Sequence, residues 1–127
     1  MSDQPKVLIV DDEVVIHRLF TKLLEKEGYQ LLFAVNGEDG LELFEREHPQ
    51  VILLDYRMLG MTGDEFMTQL TDSQIEQTAI IMVSGHAVPD VDLTQRNQQK
   101  LFAYFEKPFF EMEKLKQSIH EASARST

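Results

Sequence analysis

The chain of 127 residues contains no cysteine and no tryptophan, and only four prolines. Without cysteine there are no disulfides, no thiolate nucleophile and no sulfur-ligated zinc, and a reducing compartment suits such a chain. No apolar run approaches the roughly 20 residues that span a bilayer. The polar start MSDQPK has no signal-peptide core, so a cytoplasmic protein without a membrane span is expected. Basic residues are also scarce: 12 against 22 acidic ones leave a formal charge of −10, which opposes attraction to phosphate backbones and anionic membranes. Direct nucleic-acid binding is therefore not expected. What is present is 43% hydrophobic residues, enough for one domain with a full core and too little chain for two ordinary ones. A single unit over 1–127, with its core from about 6 to 122, is expected.

The hydrophobic pattern alternates between short continuous runs and helical stripes. Val7 to Val10 is apolar throughout and is followed by the acidic triplet DDE. A helical pattern then places Val15, Leu19 and Leu23 on one face, with Ile16, Phe20 and Leu24 beside it. Gly28 ends that helix, and a second strand over YQLLFAV closes on the pair Asn36-Gly37. A helix over EDGLELFERE turns Leu41 and Phe44 inward despite Gly40, which costs up to about 1 kcal/mol against alanine. His48-Pro49 breaks it, because the residue before a proline is pushed out of helical geometry. Val51 to Leu54, apolar on every side, deliver the chain onto Asp55. After a loop with Gly60 and Gly63 comes a helix from about Asp64 to Leu70.

A fourth strand, Ala79 to Val83, ends on Ser84, a fifth lies in KLFAYFEKPF, and a last helix carries Met112, Leu115 and Ile119 on one side. Five strands alternating with helices and joined by short connections predict an α/β fold, a doubly wound five-stranded parallel sheet with helices on both faces. The stretch from Val88 to Lys100 has no buried stripe, so the fourth helix is expected to be short or mobile.

In an open parallel sheet, functional groups gather beyond the carboxyl ends of the strands. That edge receives Asp11 and Asp12 from the first strand, Asp55 from the third, Ser84 from the fourth and Lys107 from the fifth. Two carboxylates about 4 Å apart repel by about 4 kcal/mol at an effective dielectric near 20, so a cation is expected among them. One or two carboxylates with exchangeable waters describe Mg2+ better than a calcium cage. Zinc is disfavoured, since no histidine neighbours the acids in sequence. Asp55 is placed as a nucleophile able to accept a phosphoryl group, with the metal and Lys107 neutralising its oxygens and Ser84 donating a hydrogen bond to one of them. Taken singly, each residue has a plainer reading: Asp11 and Asp12 as helix caps, Asp55 as a turn residue, Lys107 as a solvated charge.

The stretches VLIVDDE, VILLDYRMLGMTG, IIMVSGHA and YFEKPF, in this order, resemble the receiver domain of two-component response regulators over essentially the whole chain. The resemblance implies a flavodoxin-like strand order 2-1-3-4-5, a relation the general rule for open sheets also illustrates with this family. It implies Asp55 as phosphoacceptor, Asp11 and Asp12 as the acidic pair serving Mg2+, and the backbone carbonyl of Arg57 as a further metal ligand. Ser84 and Lys107 would follow the phosphoryl group, Gly85 would keep the site open, Tyr104 would be an aromatic switch, and the bond from Lys107 to Pro108 would be cis. A histidine kinase or histidine phosphotransfer protein is the implied donor, and a downstream protein target or output domain the implied receiver of the signal; homodimerisation is open.

Departures are Leu59 where the family usually has proline and Lys100-Leu101-Phe102-Ala103 where it has Gly-Ala, which predict a less rigid loop and an altered fourth-helix junction. Beyond self-phosphorylation and autodephosphorylation, no conventional enzyme is expected. A phosphatase would want an acid where Arg57 sits, whereas a docking or dimerisation module acting without phosphorylation is the alternative. The end at ASARST leaves no room for an output domain in this segment.

Overall fold

The computed structural model describes residues 4–85, 92–107 and 111–125. Five parallel strands form one sheet: β1 (Lys6–Val10), β2 (Gln30–Ala34), β3 (Val51–Asp55), β6 (Ala79–Ser84) and β7 (Leu101–Glu106), in the order β2-β1-β3-β6-β7. This is the 2-1-3-4-5 order expected above, once the two short strands β4 (Arg57–Met58) and β5 (Met61–Thr62) are set apart as an antiparallel ribbon.

Strand alternation divides the core in two. Leu8, Val10, Ile52, Leu54, Ile80 and Met82 point to one face and pack with Phe44, Phe66, Met67 and Ile75. Those four come from α2 (Gly37–Glu47), α3 (Gly63–Thr68) and α4 (Asp72–Gln77). Val7, Ile9, Val51, Leu53, Ile81 and Val83 point to the other face. There they meet Ile16, Phe20 and Leu24 of α1 (Val14–Leu24) and Leu115 and Ile119 of α6 (Met112–Arg125). All five residues of β3 are buried, which answers to a strand apolar on both faces.

Of the two stripes on α1, Ile16-Phe20-Leu24 is the one that seats on the sheet, while Val15 is 63% exposed and Leu23 only packs at the margin. α2 ends at His48, whose backbone is left-handed at φ 50, directly before Pro49. Gly40 repays its low helix propensity by close packing. A Cβ there would lie 3.0 Å from Phe66 Cε2 and from both γ carbons of Val10.

The helix expected from about Asp64 to Leu70 is α3, and a further short helix that was not expected, α4, follows it; each is opened by a capping box, Thr62 with Glu65 and Thr71 with Gln74. α5 (Gln95–Lys100) is short, as expected. It is fixed to α3 by polar contacts where an apolar stripe is missing. Asn97, fully buried, donates from Nδ2 to Asp64 O, Asp64 Oδ1 and Thr68 Oγ1 at 2.8–3.0 Å. Arg96 donates to the carbonyls of Met67 and Leu70 at 3.0 and 2.6 Å, satisfying the end of α3. The unusual Lys100-Leu101-Phe102-Ala103 junction enters the sheet through a register shift: Ile80 pairs with Leu101 and Ile81 with Ala103, so Phe102 is the extra residue. The part of the fourth-helix expectation before Asp92, and the bond to Pro108, lie outside the described residues.

Gly40→Ala is expected to destabilise the chain by about 1–3 kcal/mol, because α2 must lift from β1 or Phe66 must leave its rotamer. Urea unfolding midpoints of the two proteins check this; an alanine variant equal to or more stable than the native chain would show that the contact yields freely.

Candidate functional site

β1 and β3 are neighbours, so their last residues leave the sheet side by side. Asp11 follows β1, continues its ladder by donating its N–H to Ala34 O at 3.1 Å, and is fully buried. Asp55 ends β3 and is 4% exposed. Ser84, also buried, ends β6 and accepts the Lys107 N–H on its carbonyl at 2.6 Å. That bond extends the β6–β7 pairing and sets the backbone from which the lysine side chain returns over the strand ends.

Lys107 Nζ lies 2.8 Å from Asp11 Oδ2, 3.1 Å from Glu13 Oε1 and 3.6 Å from Asp55 Oδ1. Asp11, Asp12, Glu13 and Asp55 each offer a carboxylate oxygen within 4.8 Å of the others, two of them buried and two exposed. The loop carrying these acids is held from within. Asp11 Oδ1 accepts the Glu13 N–H at 2.9 Å, and His17 Nε2 donates to the Asp11 carbonyl at 2.8 Å.

The electrostatics are unequal. Burial, reinforced by the Asp11 charge, pushes the Asp55 carboxyl from 3.8 up to about 7, with Lys107 opposing and Asp12 adding to the rise. A backbone hydrogen bond from Arg57 also favours its ionised form. Burial acts to lower the Lys107 ammonium, yet the hydrogen bond it donates to Asp11 and the charges of Asp55 and Asp11 outweigh it and hold the group above its ordinary value. Lys107 and Asp11 thus form a pair, and Asp55 is the acid left undercompensated. A further positive charge is what the site best accommodates.

The main-chain approach to Asp55 is equally tight. The loop after it folds into the β4–β5 ribbon, which exposes Leu59 at 86%, and Gly63 N–H then donates to Tyr56 O at 2.6 Å. A Cβ on Gly63 would stand 3.0 Å from the Asp55 carbonyl oxygen, so only glycine lets α3 start against the end of β3. Beside the acids, Asp12, Val35, Asn36, Glu38, Leu59 and Met61 line an open cleft of about 570 Å³.

The expected residues Asp11, Asp12, Asp55 and Lys107 are therefore brought together, with Ser84 at the same edge. Arg57 begins β4 with its side chain exposed, its guanidinium carbon 6.0 Å from the Tyr56 ring centre. Tyr104, opposite Met82 in β7, is half-buried against the core face shared with α3. Glu13 and its contact with Lys107 were not anticipated. The signal was present in the third acid of DDE, but its reach across to the last strand depends on the fold.

Asp55 keeps its proton in the folded chain at pH values where the unfolded chain has lost it, so stability falls as pH rises from about 4 to about 7. With chelator present, Asp55→Asn is expected to remove this slope and to exceed native stability at pH 8 by roughly 1–3 kcal/mol. Denaturation across pH checks it; parallel profiles for the two proteins would contradict the electrostatic picture.

Residues 7–120 match the response regulator receiver domain family. Sporulation initiation phosphotransferase F of Bacillus subtilis is 34% identical over 105 residues, covering 82% of each chain. The transcriptional regulatory protein GlrR of Escherichia coli is 30% identical over 127 residues, 99% of this chain but 28% of that one. The response regulator TrrA of Thermotoga maritima, solved in complex with Mg2+–BeF, superposes with a TM-score of 0.79 at 25% identity, covering 94% of this chain and 99% of that one. With the strand order and the acid–lysine edge already in view, the chain belongs to the receiver domains of two-component response regulators, whose standard role is phosphorylation-based signalling.

Proposed function

We propose that residues 1–127 act as one receiver domain, core about 6–122, in which Asp55 accepts a phosphoryl group from a phosphohistidine of a histidine kinase or phosphotransfer protein. The observation that carries this is Asp55 itself: a carboxylate at the end of a fully buried strand, undercompensated beside Asp11, with the Lys107 ammonium 3.6 Å away. A carboxylate oxygen of Asp55 attacks phosphorus, the new O–P bond forms as the P–N bond breaks, and the imidazole nitrogen keeps the electron pair. Lys107 is the resident cation for the phosphoryl oxygens, and the Ser84 hydroxyl, at the end of the next strand, donates a hydrogen bond to one of them.

The all-oxygen donor set, part buried and part open to the cleft, fits a hard divalent cation. Mg2+ would be held by Asp11, Asp12, Asp55 and the carbonyl of Arg57. When bound, it supplies charge neutralisation for the phosphoryl oxygens and for the acids around them. No conventional enzyme chemistry is proposed beyond phosphoryl acceptance and its hydrolysis. The acquired anion gives Ser84 and Lys107 a new partner and biases the arrangement of the neighbouring loops, Tyr104 and the α5–β7–α6 face, altering what a downstream target or output domain meets. Among the described residues no helix is long and apolar enough to cross a membrane. The cysteine-free chain suits a cytoplasmic domain, and its acidic charge opposes direct contact with nucleic acid.

Intact mass after incubation with acetyl phosphate is expected to rise by one phosphoryl group only when Mg2+ is present, and not at all in Asp55→Asn. No gain in the native chain would overturn the reading in favour of a docking or dimerisation module that works unphosphorylated.

A further inference from the structure

Every one of the helices α2 to α5 is opened by a side chain that accepts a backbone N–H: Asn36, Thr62, Thr71 and Thr94. α1 is the exception. Its N-cap is Glu13, which makes no side-chain cap, in a position that favours Ser, Thr, Asp or Asn. The Glu13 carboxylate is spent elsewhere, on Lys107 Nζ at 3.1 Å. That contact is nearer than the 3.6 Å from the same nitrogen to Asp55. Its main chain, meanwhile, is fixed by the hydrogen bond from Glu13 N–H to Asp11 Oδ1.

We infer that Glu13 is a positioning residue of the phosphoryl-transfer site, acting through Lys107: it holds the ammonium on the Asp11 side of the site and competes for it with the phosphoryl group on Asp55. The inference rests on the phosphoacceptor reading above and deepens it. Asp11 is a buried partner with nowhere to go, whereas the Glu13 side chain is 55% exposed and is rehydrated when released. Of the two carboxylates that Lys107 contacts more closely than Asp55, Glu13 is the one that can yield. It therefore sets how readily the lysine turns to a new anion.

The strength of a half-exposed ion pair sets the scale, about two- to fivefold in rate. Time courses of phosphoryl gain from acetyl phosphate, followed by intact mass over a range of Mg2+, test this in the native chain, Glu13→Gln and Glu13→Asp. Glu13→Gln is expected to raise the maximal rate by about two- to fivefold while leaving the Mg2+ concentration for half-maximal rate unchanged. Glu13→Asp keeps the charge but is short enough to cap α1 instead, and is expected to accelerate likewise.

Equal maximal rates in Glu13→Gln and the native chain would overturn the inference alone. So would acceleration by Gln but not Asp, which is the signature of bulk charge. A raised half-maximal Mg2+ in Glu13→Gln would overturn it too, by making Glu13 a metal ligand. No phosphoryl gain in the native chain would overturn the phosphoacceptor reading, and this inference with it.

Discussion

Among the described residues the Lys107 ammonium is the one positive charge set among the four clustered acids, and the arrangement of the site follows from how it is shared. At 2.8 Å from Asp11 it forms a tight, buried pair; at 3.6 Å from Asp55 it only partly offsets burial and the Asp11 charge. Removing one partner of such a buried pair would leave an uncompensated charge, so Asp11 and Lys107 are mutually dependent for stability. Asp55 is held in a different condition, its carboxyl raised towards neutrality by the same burial that fixes its position. A group so placed gains by acquiring a cation beside it, or by exchanging its own charge for a larger anion that Lys107 can turn to meet.

The sheet makes that strain sustainable. β3 is buried along its whole length between two packed faces, with α2, α3 and α4 on one side and α1 and α6 on the other. Its final residue cannot move away from Asp11 without disturbing both. On the approach side, Gly63 brings α3 against the main chain of Asp55 and Tyr56 with no room for a side chain. Tyr56, the residue after Asp55, is buried and its hydroxyl accepts from Asp92 N–H at 3.0 Å, tying the strand end to the segment that leads into α5. α5 is in turn clamped on α3 by Asn97 and Arg96. The strand end and the following helix are thus joined by short polar links.

How much of this could be read beforehand depended on whether the signal was local. The apolar runs ending in Asp11, Asp55 and Ser84 were legible because strands buried on both faces leave continuous hydrophobic stretches, and parallel topology sends their carboxyl ends to one edge. Two adjacent stripes on α1 were visible, but which of them faced the sheet was not; Ile16, Phe20 and Leu24 won because the helix packs over the Val7-Ile9 face. α4 was missed for want of a stripe, since Ile75 is its only buried residue, although Thr71 and Gln74 spelled a capping box. α5 had no apolar stripe because its anchorage is polar, through a buried asparagine that sequence alone reads as a surface residue. The register shift at Phe102 and the reach of Glu13 to Lys107 are consequences of strand pairing across distant parts of the chain.

The fold holds Asp55 undercompensated and shares Lys107 between it and its acidic neighbours. Carbon-13 NMR titration of the Asp55 side-chain carboxyl, assigned through Asp55→Asn, reads this directly. A midpoint near 7 is expected in the native chain without divalent metal, a higher one in Lys107→Met and a lower one on adding Mg2+. A native midpoint in the ordinary aspartate range near 4, unmoved by either change, would contradict it.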